Sequence, residues 1–352
     1  MSDTQRDSAG VSAATAALVS GIALGAFVLA RAWRRRAAFD FADKVVVITG
    51  GSRGLGLVLA RQLAREQAKL VLAARDAAEL ERAAVDIRAR YPSARVLTVA
   101  ADIREQRDAE RMIVAAVDRY GAVDVLINNA GIIQVGPIDH MQLADYEDAM
   151  RTHYWGPLYA ILAALPYMRQ QGGGRIVNIT SIGGRISVPH LVPYSASKFA
   201  LVGLSDGLRA ELARDNIVVT TVCPGLMRTG SPVNATFKGR QPDEYTWFAI
   251  SDSLPLISID ARRAARQIID ACRDGDAELV ITTAARVAVV ARTAAPELFA
   301  DAMALVNRLL PGATSAEGDE PQRGRESETR WAGPATVLTA PTYRAARANN
   351  EL

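Results

Sequence analysis

The stretch "KVVVITGGSRGLG", Lys44 to Gly56, decides how the chain is read. A short β-branched run, "KVVVIT", leads directly into "TGGSRGLG", Thr49 to Gly56, and then into a segment of helical length, Leu55 to Gln67. Gly50, Gly54 and Gly56 let the backbone turn tightly and come close to a bound diphosphate. The helix that follows would aim its unpaired amides and the positive end of its dipole at the phosphates. A glycine pattern also marks a plain tight turn. Its position at the first strand-to-helix turn of an alternating chain gives it weight.

That alternation continues downstream. "KLVLAA" (Lys69 to Ala74), "RVLTVA" (Arg95 to Ala100), "VDVLIN" (Val123 to Asn128), "RIVNIT" (Arg175 to Thr180), "IVVTTV" (Ile217 to Val222) and "AELVIT" (Ala277 to Thr282) bring the strands to seven. Near-continuous apolar strands separated by helices describe a parallel sheet covered on both faces. The expected fold is a doubly wound, Rossmann-type α/β domain with a seven-stranded sheet, spanning about residues 39–310. Residues 230–258 lack a clear period but hold Phe237, Tyr245, Trp247 and Phe248, which suggests a lid or simply aromatics packed on the core. Residues 285–310 read as helical and apolar. From Pro311 the polar stretch "PGATSAEGDEPQRGRESETR" implies a disordered tail over 311–352.

Composition narrows the function. The 352 residues carry a net charge of +3, too little to argue for nucleic acid. Two cysteines, Cys223 and Cys272, and three histidines build neither a disulfide framework nor a zinc site, so no metal is expected. From Ser8 to Ala30 there is no charged residue, and Arg31, Arg34, Arg35 and Arg36 follow. Such a run, at a rise of ~1.5 Å per residue, can cross a hydrocarbon core of ~30 Å. Its charges follow the apolar run, unlike a cleaved signal peptide, and by the positive-inside rule they keep the rest of the chain in the cytoplasm. The expectation is a membrane-anchored protein over residues 1–38, with a helix at about 9–30 and a basic hinge; a mobile Ala/Gly/Ser-rich tail is the alternative.

Chemistry is concentrated in "PYSASK", Pro193 to Lys198. On a helix Tyr194 and Lys198 stack on one face, one turn apart. An ammonium beside a phenol makes it easier to deprotonate, which a tyrosine of ordinary pKa ~10 needs in order to exchange protons near neutrality. An isolated YxxxK is more often an exposed helix face, so the surrounding motifs matter.

Taken in order, those motifs resemble the short-chain dehydrogenase/reductase family over about residues 43–282. "TGGSRGLG" is followed by "NNAG" (Asn128 to Gly131) after the fourth strand and by "NITS" after the fifth. Ser181 stands thirteen residues before Tyr194, and "PGLMRT" (Pro224 to Thr229) follows the sixth strand. The resemblance implies an enzyme with Ser181, Tyr194 and Lys198 as catalytic residues. Tyr194 would act as general acid or base, Lys198 would lower its pKa and hold the nicotinamide ribose, and Ser181 would bind the substrate oxygen. It implies cofactor contacts from Gly50, Ser52, Arg53, Gly54, Leu55 and Gly56, from Asp102 and Ile103, and from Asn129, Ala130 and Gly131. Tyr194, Lys198, Pro224, Gly225 and Thr229 complete the set.

Arg75 ends the second strand, where an NAD site places a carboxylate, and Arg53 is a second guanidinium. Together they favour NADP(H). Asp102 would contact the adenine amino group or cap the next helix. One position departs from the family: His153 stands in "MRTHYWG" where asparagine is usual, which puts the proton relay to Lys198 in question. The reading is an NADP(H)-dependent oxidoreductase acting on a lipophilic carbonyl or alcohol, expected to be a homo-oligomer. A non-catalytic NADP-binding scaffold or sensor at the membrane is the rival.

Overall fold

The computed structural model describes residues 39–254, 258–327 and 335–352. The apolar N-terminal run and its arginines lie outside them. Among the described residues no helix is long and apolar enough to cross a membrane.

Seven strands form one sheet: β1 (Val45–Thr49), β2 (Lys69–Ala74), β3 (Arg95–Ala100), β4 (Val125–Asn128), β5 (Gly174–Ile179), β6 (Ile217–Pro224) and β7 (Glu278–Ile281). Their order is β7-β6-β5-β4-β1-β2-β3, every pairing parallel. Each expected strand is present, with ends moved by at most two residues. β1 is buried at all five positions, as a strand covered on both faces must be. Val45 and Val47 enter a cluster with Met112 and Ile113 of helix α3 (Gln106–Tyr120) and Ile161 and Leu165 of helix α5 (Gly156–Gln170). Alternation along the strand sends Val46 and Ile48 to the other side. Helices α1 (Gly54–Arg65) and α2 (Ala77–Arg90) follow β1 and β2.

Chain order reverses between β1 and β4. That switch point opens a crevice at the carboxyl ends of the strands, where α/β sheets of this kind bind ligands. Helix α4 (Leu143–Met150) runs through a π-turn at Arg151–Trp155 into α5. Helix α6 (Val192–Glu211) lies along the same edge; Pro193 sits in its first turn, where a missing amide costs nothing. A buried polar chain fixes α6 to the sheet. The Asn128 amide donates to Asn178 Oδ1 at 2.8 Å, and the Asn178 amide donates to Ser205 Oγ at 2.8 Å.

The segment after β6 is more ordered than its composition suggested. It contains helix α7 (Gln241–Ser253), and Phe237, Tyr245 and Phe248 pack edge-to-face in a small core of their own. Helix α8 (Ala261–Asp274) leads to β7. The apolar region beyond is two helices, α9 (Thr283–Ala294) and α10 (Pro296–Leu309), and α10 buries no residue.

The expected disordered tail is a correction, because most of it is folded. Gln322–Arg323 pairs antiparallel with Thr236–Phe237, the Gly324 amide donates to Ala235 O, and Asp319 meets His140 Nδ1 at 2.7 Å. Helix α11 (Ala335–Ala348) buries Ala346 fully, and its Tyr343 hydroxyl bonds that of Tyr245 on α7. A polar segment with no core of its own is held by backbone pairing to the lid. The compact unit therefore runs from Phe41 to Leu352, past the expected boundary at 310.

Glu244 of α7 is wholly buried and accepts from His190 Nδ1 at 2.8 Å and from the Trp247 indole at 2.7 Å. Glu244→Ala should orphan the buried imidazole N–H and cost about 1–3 kcal/mol, measured by urea unfolding, with Glu244→Gln losing less. Equal stability of all three proteins would show that this contact does not hold the lid.

Candidate active site

The sheet brings the sequence-predicted residues to one edge. β1 delivers Gly50, Ser52, Arg53, Gly54, Leu55 and Gly56; β2 delivers Arg75; β3 delivers Asp102 and Ile103. β4 delivers Asn129, Ala130 and Gly131, β5 delivers Ser181, and β6 delivers Pro224, Gly225 and Thr229.

Backbone packing shapes the first loop. Gly50 has φ +65° and Gly54 φ +54°, a region that disfavours side chains. A Cβ on Gly56 would lie 2.1 Å from Gly50 O and 2.7 Å from the Asn129 amide nitrogen, so nothing larger than glycine fits. Asn129 donates to Thr49 O and Gly50 O at 3.0 and 3.1 Å, and Thr49 Oγ1 accepts from the Asn129 and Ala130 amides. Asn129 thus braces the loop from the neighbouring strand. A carboxyl oxygen of Glu351 lies 2.9 Å from where a Gly54 Cβ would stand, so only glycine leaves room for it there.

The charged candidates divide. Arg53 is committed to Glu79 at 3.3 Å and Asn234 at 3.0 Å, and Ser52 Oγ also donates to Glu79. Asp102 is clasped by Arg104, which also holds Asp148, and this keeps the Asp102 carboxyl below its usual range despite burial. The helix after β3 takes Glu105, not Asp102, as its first flanking residue. Arg75 is exposed, and its charge also acts to lower the Asp102 pKa. Thr229 is buried and shares its hydroxyl with Ser231 Oγ at 2.6 Å.

Ser181, Tyr194 and Lys198 converge. Ser181 Oγ accepts from the Gly183 amide at 3.0 Å and hydrogen-bonds with Tyr194, which lowers the phenol pKa. Burial outweighs that bond and pushes Tyr194 up to about 12. In this state burial, not a neighbouring charge, dominates the Tyr194 phenol. Lys198 Nζ lies 5.7 Å from the phenol ring centroid and donates to Ile179 O at 3.0 Å, and burial pushes its own pKa down to about 7. Both groups are driven toward their neutral forms for one reason, the loss of water.

His153 is the departure from the family, and its place is well defined. Ser197 Oγ donates to Tyr194 O at 2.8 Å, so it accepts from His153 Nδ1–H at 2.8 Å. Nε2 then accepts from the Ile132 amide at 3.1 Å. The ring is neutral, held well below its ordinary pKa by burial and by the charge of Lys198. It ties the "NNAG" loop to the catalytic helix, with Nε2 3.1 Å from where a Gly131 Cβ would stand.

Two features escaped sequence reading. Asp252 on α7 is buried, raised to about 8 by burial, and its charge would push Tyr194 upward. The C-terminal Asn349, Asn350 and Glu351 lie on the glycine loop, where the Gly54 amide donates to Asn349 O at 2.9 Å. The helical pattern of "ATVLTAPTYRAARA" was the available signal for the segment that carries them.

A model of the short chain dehydrogenase family matches residues 44–237, more than half the chain. The chain belongs to that family. A dehydrogenase/reductase SDR family protein 7-like of Anopheles gambiae is 39% identical over 197 residues, 54% of this chain and 62% of that protein. The ketoacyl reductase HetN of Nostoc is 35% identical over 192 residues, 54% of this chain and 66% of that one. The L-sorbose reductase of Gluconobacter frateurii, solved with NADPH and L-sorbose, superposes with a TM-score of 0.62 at 25% identity, covering 69% of this chain and 97% of the other. The chain therefore spans about two thirds or less of those two curated relatives. Its family uses a nicotinamide cofactor, and the braced glycine loop together with the convergence of Ser181, Tyr194 and Lys198 fits one.

His153 yields a pH prediction. Above pH ~6.5 the imidazole is neutral folded or unfolded and contributes no pH dependence. Below that the unfolded chain binds the proton first, so stability falls with falling pH by up to about 1.4 kcal/mol per unit until the lowered folded pKa is reached. Denaturant titrations of wild type and His153→Asn at pH 7.5, 6.5 and 5.5 should show the wild type losing ground to the variant over the last interval. Parallel curves would mean the ring is not held neutral.

Proposed function

We propose that this short-chain dehydrogenase is an NADP(H)-dependent oxidoreductase that interconverts a carbonyl and a secondary alcohol on a lipophilic small molecule, anchored at a membrane with its catalytic domain in the cytoplasm. The observation that carries it is the convergence of Ser181, Tyr194 and Lys198 at the end of β5. A purely binding scaffold needs no buried proton donor there.

The bound nicotinamide would supply or accept the hydride. The rest falls to the chain. With its pKa at about 12 the Tyr194 phenol holds its proton at neutral pH and is ready to donate it to a carbonyl oxygen as charge develops there. The Ser181 hydroxyl hydrogen-bonds the same oxygen. Lys198, against Ile179 O and beside Tyr194, replaces positive charge lost from the phenol as the proton leaves. The reverse reaction needs the phenolate, so these surroundings support reduction as the easier direction.

Arg75 supports the phosphorylated cofactor. It is exposed at the end of β2, whereas Arg53 is already paired with Glu79. The NADPH-bound sorbose reductase, a neighbour in fold, supports the same choice. The name of the Nostoc relative supports a ketone within an acyl chain as one substrate type. The uncharged N-terminal run supports a lipophilic substrate drawn from a membrane.

Turnover of NADPH by the purified chain on a panel of ketones tests the reading. Tyr194→Phe should cut turnover by ~10²–10⁴-fold while leaving NADPH affinity intact. Near wild-type turnover would mean that the proton comes from elsewhere. Arg75→Ala should weaken NADPH binding by about 1.5–3 kcal/mol and leave NADH unchanged. Equal loss for both cofactors would mean that Arg75 does not read the 2′-phosphate.

A further inference from the structure

The C-terminus is folded into the cleft that the proposed cofactor needs. The Gly54 amide, first residue of α1, donates to Asn349 O at 2.9 Å. Asn350 donates to Ser52 O at 2.9 Å, and Arg82 donates to Asn350 Oδ1 at 3.2 Å. Arg61 holds Asn349 Oδ1 at 2.9 Å and Ala348 O at 3.0 Å. Glu351 is buried; its carboxylate accepts from the Gly230 amide at 2.6 Å and lies against Gly54. The Gly54 amide is one that a diphosphate at this turn would claim. An amide already bonded to a carbonyl cannot be offered to a phosphate oxygen, and the Glu351 carboxyl at Gly54 excludes a phosphate by volume and, when ionised, by charge.

The segment reaches that place because α11 is fastened to the lid. Tyr343 bonds Tyr245 through their hydroxyls, Thr342 Oγ1 meets Ser253 Oγ at 2.7 Å, and Ala346 is buried near Gly230. Lid helix α7 also carries Asp252, so tail, lid and substrate side of the cleft share one set of contacts.

We propose that Asn349–Leu352 is an autoinhibitory strap that competes with the dinucleotide for the glycine loop, and that cofactor binding displaces it together with α11. This rests on the nicotinamide-binding reading of the site. A closed state that holds the loop for most of the time lowers apparent affinity by the fraction of molecules that are open. A strap closed in about nine molecules of ten therefore weakens binding roughly tenfold.

The test is NADPH binding by calorimetry, with no substrate present. It would be run on the full chain, on Glu351→Ala, and on a chain ending at Ala348. Release of the strap predicts a Kd roughly tenfold lower for the shortened chain and an intermediate value for Glu351→Ala. A chain ending at Pro334 should bind NADPH as tightly, and a synthetic peptide of residues 335–352 added to it should raise its Kd again, in competition with NADPH. In the full chain NADPH should speed amide exchange at Asn349–Leu352. Unchanged or weaker NADPH binding in both variants, with saturable binding by the full chain, would overturn the strap and leave the cofactor reading standing. If no form bound NADPH or NADH, the cofactor reading and the strap would fall together.

Discussion

Everything in the cleft depends on how closely Gly56 packs against the carbonyl of Gly50. Because no Cβ intervenes, helix α1 can start directly above the carboxyl end of β1, and its first amide, that of Gly54, meets Asn349 O there. Asn129 closes the arrangement from β4 by donating to two carbonyls of the turn. The loop is thereby fixed by two neighbouring strands that lie at the point where sheet order reverses. Any residue with a side chain at position 56 would force the turn open, and both the bracing bonds and the anion-binding amides would be lost together.

Burial then sets the chemistry. Tyr194 and Lys198 lie one helical turn apart, and the sequence alone suggests that the cation eases the phenol's deprotonation. The folded environment acts in the opposite sense, since both groups lose water and each shifts toward its uncharged form. His153 obeys the same rule, and its two ring nitrogens are fully used by Ile132 and Ser197. The substitution for asparagine does not place a charge beside Lys198; it adds a rigid neutral bridge between the "NNAG" loop and α6.

The sheet was legible in the sequence because its strands are unbroken apolar runs that have to be covered on both faces. The candidate catalytic residues were legible because Ser181 follows β5 and Tyr194 and Lys198 sit one turn apart on α6, at the spacing the motifs carry. The lid and the C-terminus were not, and the reason is physical. The lid's small core is built from scattered aromatics on Phe237 that hide the period of α7, and α11 is stabilised by contacts made some ninety residues away in sequence, Ser253 to Thr342 among them. The polar stretch after Pro311 carries the composition of disorder, yet pairs through its backbone with Thr236–Phe237. Composition speaks to side chains, and here main-chain hydrogen bonds do the holding. The pairing of Arg53 was not legible for a related reason, since its partner Glu79 lies on the next helix.

The joined lid and tail also bear on what kind of site this is. Asp252 and Glu351 are both buried carboxyls pushed up in pKa, to about 8 and about 7, and the charge of each raises the other or its neighbours. For both groups burial is the larger cause, since a carboxyl that loses water favours its neutral form. The cleft therefore holds its acidic groups at the expense of their ionisation, on the same elements that must move for a ligand to enter. Lifting α11 would return Glu351 to water, where its charge is stable, and would relieve Asp252 of a like neighbour.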